Sequence, residues 1–144
     1  MKSNAKSHAK KCVEFLLQLL IPAALTLAGS AHAATAISPK DAAQAVTAGS
    51  AILVDVRELA ELKESGKAKP AKWLATSEIE QRSPLYKNAV SSWSKSTNII
   101  FYCRSGNRSG KAADHFQSLG FKTLNAGAFQ AWKDAGLPVE PVTK

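Results

Sequence analysis

Residues Cys103-Arg104-Ser105-Gly106-Asn107-Arg108-Ser109 have the types and spacing to do chemistry. A thiol attacks as the thiolate, and a thiolate is favoured where backbone N–H groups and positive charge surround it. Gly106 lets such a segment curl until successive amides converge on one point, and Arg104 and Arg108 bring charge. A helix opening near Ser109 would add the positive end of its dipole. Each contribution is worth on the order of 1 kcal/mol and one pKa unit is about 1.4 kcal/mol, so together they carry a thiol toward ionisation near neutral pH. The same cradle would hold a persulfide anion or an incoming oxyanion. An inert core cysteine is the competing reading of Cys103, and the polar loop that follows it weighs against that.

Within the loop, Arg108 is read as closing the turn and binding the anion, while Arg104 is open between that role and an ordinary solvated one. Ser105 and Ser109 could donate hydrogen bonds to a sulfur anion, although capping the next helix is an equally good use for Ser109. Asp55 and Arg57 are read as structural support for the site rather than as proton carriers. His115 lies mid-helix beyond the loop, so a Cys–His dyad is disfavoured. Trp73, Trp93 and Trp132 are core or rim aromatics, with Trp73 a candidate for the pocket mouth.

These residues need elements to hold them. Ser38-Pro39-Lys40-Asp41 carries a cap, a first-turn proline and an early acid, which predicts a helix ending by Gly49. Ala51 to Val56 is a branched apolar run suited to a strand buried on both faces. A short polar helix is expected from Glu58 to Glu64, a brief strand over Trp73 to Ala75, and a helix from Ser83-Pro84 to about Trp93. Asn98 to Tyr102 reads as a second buried strand, with Cys103 at its carboxyl end. Ser109 to Leu119 has helical spacing, Phe121 to Leu124 fits a last strand, and Phe129 to Ala135 a last helix. Strands alternating with helices imply a parallel α/β sheet, with ligands outside the carboxyl ends of the strands.

The first 33 residues read as a secretory signal peptide: Lys2, Lys6, Lys10 and Lys11, an apolar run from Phe15 to Ala28, then Ala31-His32-Ala33. That run is 14 residues long, short of the roughly 20 that cross a bilayer core, so cleavage after Ala33 and an exported, periplasmic location are expected over a membrane anchor. Residues 34 to 144 then form a single domain with 15 basic and 10 acidic side chains and Cys103 as its lone thiol. An internal disulfide is therefore impossible in the mature chain. The net charge of +8 for the whole chain owes part of its excess to the leader, and the remaining bases are scattered, which argues against nucleic acid and for small anions.

Tyr102 to Ala113, reading Y-C-R-S-G-N-R-S-G-K-A-A, resembles the active-site signature of the rhodanese family. Leu53-Val54-Asp55-Val56-Arg57-Glu58 resembles its early D-V-R strand, and Leu119-Gly120-Phe121, Asn125-Ala126-Gly127, Ala131-Trp132 and Ala135-Gly136-Leu137-Pro138-Val139 its closing segments in order. The resemblance implies a five-stranded parallel sheet flanked by helices on both faces. It implies Cys103 as the catalytic residue, with Arg104, Ser105, Gly106, Asn107, Arg108 and Ser109 as its anion-binding loop. The implied reaction takes sulfur from thiosulfate or a similar small anionic donor onto Cys103 as a persulfide, then gives it to cyanide, a thiol or a protein acceptor, without metal or organic cofactor. A persulfide carrier with little turnover of its own is the alternative.

Two segments depart from the family pattern. Gly66-Lys67-Ala68-Lys69-Pro70-Ala71 lacks the family's usual His, which alters the pocket rim, and Ala128 stands where a second glycine is usual. A phosphatase built on this kind of fold would need a wider loop, with five residues between Cys and Arg, whereas four separate Cys103 from Arg108.

Overall fold

The computed structural model describes residues 33–143, so the expected signal peptide lies outside the described residues except for Ala33. Three strands fill the middle of the sheet: β2 (Ala51–Asp55), β5 (Asn98–Cys103) and β6 (Lys122–Ala128). The short strands β1 (Thr35–Ala36) and β4 (Lys72–Trp73) form its edges, in the order β1-β6-β5-β2-β4, and every neighbouring pair is parallel.

Side chains of β5 alternate strictly between two cores, as the pleat requires. Ile99, Phe101 and Cys103 join Val54, Val56 and Phe116 beneath α4 (Pro84–Ser92) and α5 (Asn107–Ser118). Ile100 and Tyr102 join Leu53, Phe129 and Trp132 beneath α1 (Pro39–Thr47) and α6 (Phe129–Asp134). Burying a side chain such as Phe101 contributes about 1.5–3 kcal/mol. A one-residue slip of β5 would exchange the surroundings of Cys103 and Tyr102, so the two apolar faces hold the thiol in register.

Local chemistry sets the helix starts. The Ser38 hydroxyl accepts from the Asp41 N–H at 3.1 Å and the Ser83 hydroxyl from the Tyr86 N–H at 3.2 Å, each followed by a first-turn proline. Helix α2 (Leu59–Ser65) opens with a reciprocal capping box between Glu58 and Glu61.

Several elements differ from the expected ones. The strand expected over Trp73 to Ala75 is Lys72–Trp73, and Ala75 instead precedes an unexpected short helix, α3 (Thr76–Glu80). β6 runs on to Ala128, past the expected Leu124, while Phe121 packs in the core outside it. Edge strand β1 is also additional, as is a two-stranded antiparallel pair, β3 (Lys67–Ala68) with β7 (Val139–Glu140). That pair takes up the segment where the family's His is missing. Gly66 precedes it at φ +74, where a Cβ would lie 2.7 Å from the Glu140 carbonyl oxygen, so both conformation and space call for glycine. Ala128, by contrast, sits at φ −90, ψ 137, ordinary extended backbone in which a side chain costs nothing.

The register pairs Asp55 with Tyr102, Tyr102 with Gly127, and Cys103 with Ala128. The carboxyl ends of the three central strands therefore stop along one edge, and the turns that follow them gather there.

Candidate active site

Between β5 and α5 the chain folds back over its own cysteine. Gly106, at φ +94, puts the backbone in the left-handed region and aims its N–H at Cys103 Sγ, 3.0 Å away. A Cβ at that position would also meet the Gly127 Cα at 3.4 Å. Helix α5 begins at Asn107 with Gly106 as its cap, so Ser109 is not the capping residue. It is buried instead in the first turn, its hydroxyl 3.4 Å from Cys103 Sγ, 2.8 Å from Asn125 Oδ1 and 3.1 Å from the Gly106 carbonyl. One hydroxyl proton cannot serve all three acceptors at once, so charge on the sulfur draws it from the neutral oxygens.

Burial pushes the Cys103 thiol up. The Ser109 hydroxyl, followed by the backbone N–H groups of Ser109, Ser105 and Gly106, outweighs it and leaves the pKa below the ordinary thiol value. Ser105 contributes through its backbone, with its side chain exposed, and Asn107 is exposed at the start of α5. Cys103 itself is fully buried.

Asn125 braces the loop, and spacing did not single it out. Its Nδ2 donates to the Gly106 carbonyl at 3.0 Å, while its Oδ1 accepts from Ser109 and from the Gly127 N–H at 2.9 Å. The side chain ties the loop to β6. It does so where an irregularity in the β5–β6 pairing shifts the register between Phe101 and Tyr102.

On the opposite face Asp55 and Arg57 form a buried ion pair with Nη2 to Oδ2 at 2.7 Å, 3% and 0% exposed for Arg57 and Asp55. Asp55 also accepts from the Arg57 N–H and the Tyr102 hydroxyl, and Arg57 reaches Ser65 Oγ at 2.8 Å and the Gly66 carbonyl at 2.7 Å. The guanidinium lies 4.0 Å from the centroid of Phe129. This network joins the end of β2 to α2, β5 and α6. Desolvation and the Asp55 charge hold the Tyr102 phenol far above its usual range.

Arg108, read as closing the turn and binding the anion, is paired with a carboxylate that spacing did not single out. Its Nη1 and Nη2 donate to Glu61 Oε2 and Oε1 at 2.7 and 2.8 Å. That fork brings the Glu61 carboxyl down to about 2. Beside it is a cleft of about 570 Å³ lined in part by Arg57, Glu61, Ser65, Arg104, Phe129 and Lys133. Arg104 is exposed on this cleft.

Other singled-out residues fall away from the sulfur. His115 is partly buried against Tyr86, whose hydroxyl is 2.8 Å from its Nε2. Trp93 packs on Phe116, and Trp132 is buried against Tyr102. Trp73 donates from Nε1 to the Arg57 carbonyl at 2.9 Å.

A parallel sheet whose central strand ends in a cysteine under a cradle of amides defines a class of domain, and comparison with known proteins places the chain within it. The model of the rhodanese-like domain matches residues 38–135, and the chain belongs to that family. A mitochondrial protein of Schizosaccharomyces pombe, named as a candidate thiosulfate sulfurtransferase, is 34% identical over 93 residues, which are 59% of this chain and 65% of that protein. The match thus spans just under two thirds of that relative. Among solved structures, the polysulfide-sulfur transferase homodimer of Wolinella succinogenes is 27% identical at a TM-score of 0.62, covering 76% of this chain and 80% of that one. A Rhodopseudomonas palustris protein of unknown function, suggested to be a tyrosine phosphatase, is 29% identical at a TM-score of 0.62, over 74% and 85% of the two chains. The family and the sulfurtransferase-named relative support a sulfurtransferase at family level.

Proposed function

We propose that the protein is an exported sulfurtransferase that moves sulfane sulfur from thiosulfate or a similar donor to cyanide or a thiol through a persulfide on Cys103. The observation that carries this is the convergence on one sulfur of the Gly106 N–H and the Ser109 hydroxyl, with the Ser105 and Ser109 amides adding to the same field. In the first half-reaction the Cys103 thiolate attacks the outer sulfur of thiosulfate. The S–S bond breaks, its electron pair leaves with sulfite, and the cradle that favoured the thiolate holds the persulfide anion. In the second, cyanide takes the outer sulfur and departs as thiocyanate, regenerating the thiolate.

A second reading is a persulfide carrier that hands its sulfur to a partner protein. One observation favours it: Cys103 is fully buried, so donor and acceptor must reach a sulfur that the loop covers. Intact-mass measurement before and after thiosulfate treatment, followed by cyanide, separates the possibilities. Gain of one sulfur, lost with reductant or cyanide and absent in Cys103→Ser, is the expected result. An adduct that forms but discharges slowly to cyanide favours the carrier. No adduct with thiosulfate, together with phosphate release from an aryl phosphate, would establish a phosphatase instead. For export, N-terminal sequencing of the periplasmic fraction should begin at Ala34, and an intact N-terminus in the membrane fraction would indicate an anchor.

A further inference from the structure

The cation that ends the Cys103 loop already has a partner. Arg108 meets Glu61 through two parallel hydrogen bonds of 2.7 and 2.8 Å, the geometry in which planar guanidinium and carboxylate match best. Glu61 is itself fixed from its other side. Its Oε2 accepts the Glu58 N–H at 3.0 Å, and the Glu58 carboxylate is tied to the Ser77 N–H at 3.2 Å and the Ser77 hydroxyl at 2.7 Å. The start of α2 therefore holds this carboxylate at the rim of the cleft before any ligand arrives. Arg108 and Glu61 side chains are 29% and 27% exposed, and Glu61 lines the cleft, so an anion there meets the pair from its carboxylate side.

We infer that Glu61 is a specificity-determining residue which, by neutralising Arg108, lowers the site's preference for doubly charged sulfur donors relative to singly charged ones. This rests on the sulfurtransferase function proposed above. A free guanidinium attracts a dianion with twice the Coulomb energy it gives a monoanion at the same distance. A guanidinium already bound to a carboxylate presents nearly no net charge, and a dianion loses most from that. Among the described residues Arg104 and Lys133 form no salt bridge and line the same cleft, so a donor of single charge still meets positive charge there without Arg108.

Thiosulfate and methanethiosulfonate test this, because they carry two charges and one but transfer the same outer sulfur. In both, the Cys103 thiolate attacks, the S–S bond breaks, and the electron pair leaves with sulfite or with methanesulfinate, so charge is conserved. Glu61→Gln is the informative variant: its side-chain oxygen still accepts the Glu58 N–H, so the capping box survives while the charge goes. Its KM for thiosulfate should fall about fivefold and for methanethiosulfonate about twofold, equivalent to ~1 and ~0.5 kcal/mol, with the change carried by KM rather than kcat. Arg108→Ala leaves the carboxylate unpaired and should raise KM, more for thiosulfate, and adding Glu61→Gln should recover part of that loss.

An unchanged or raised KM for thiosulfate in Glu61→Gln, or equal shifts for both donors, overturns the inference while leaving the sulfurtransferase function intact. Failure of wild-type Cys103 to take sulfur from either donor overturns both.

Discussion

Substituting Asp55 by Asn removes one negative charge and preserves the shape of the side chain. The carboxylate is fully buried and accepts from the Arg57 N–H at 2.9 Å, Arg57 Nη2 at 2.7 Å and the Tyr102 hydroxyl. The variant leaves Arg57, 3% exposed, with its charge facing an amide. Breaking a buried pair by deleting one partner costs about 3–5 kcal/mol. Here the Ser65 hydroxyl, the Gly66 carbonyl and the Phe129 ring still face the guanidinium, which favours the lower end, about 3 kcal/mol. That is a large part of the roughly 5–15 kcal/mol that holds a domain folded. At about 4 °C per kcal/mol for a domain near a hundred residues, the melting temperature should drop by about 12 °C. Thermal and urea unfolding measure the loss, and intact mass after thiosulfate, taken where both proteins are folded, measures sulfur uptake. Uptake per folded molecule at saturating thiosulfate should match wild type, because the hydrogen bonds of the pair go to Tyr102, Ser65 and Gly66 and none reaches Cys103 or its loop. Adding Arg57→Met should restore stability relative to Asp55→Asn alone, since no buried charge is then left over. A loss of under about 1 kcal/mol would mean the network is worth no more than a surface pair. A folded variant that takes no sulfur would give Asp55 a part in the chemistry.

Three further outcomes follow from the loop and the rim. Gly106→Ala forces a side chain into the left-handed region and toward Gly127, which should cost about 1–2 kcal/mol in denaturant unfolding and slow persulfide formation by turning the Gly106 N–H off the sulfur. Ser109→Ala removes a donor that favours the thiolate, so the acid limb of the pH–rate profile for sulfur uptake should move to higher pH, with rates converging once the thiol is ionised in both proteins; an unmoved limb would show that the hydroxyl serves Asn125 alone. Glu61 has a folded pKa of about 2 against an ordinary 4.5, so its stabilisation is complete above pH 4.5 and is lost as pH falls toward 2. Glu61→Gln should therefore narrow the stability lost over that window by about 1 kcal/mol, a figure that allows for solvent screening at a partly exposed pair, and equal acid sensitivity of the two proteins would refute it.

Much of this protein is written in short stretches of its sequence. The branched run from Asn98 to Tyr102, followed at once by a polar turn containing Gly106, marks Cys103 as the end of a buried strand. Ser38-Pro39 and Ser83-Pro84 mark two helix starts, because a cap and a first-turn proline act within three or four residues of each other. Such features depend on pleat, helical period and local hydrogen bonds, all of which a neighbouring residue can set. Edge strand β1 and the β3–β7 pair escaped that kind of reading because two-residue strands show no period, and their existence depends on a partner far along the chain. The same holds at the site. Glu61 and Arg108 are 47 residues apart, and Asn125 reaches Ser109 only because β6 pairs with β5 and shifts register beside it. By itself the sequence determined the candidate nucleophile, its strand and the polar turn that follows it. Tertiary structure alone decided which groups brace that loop and which carboxylate neutralises its arginine, since side chains remote in the chain meet only where the packed sheet and helices bring their ends together.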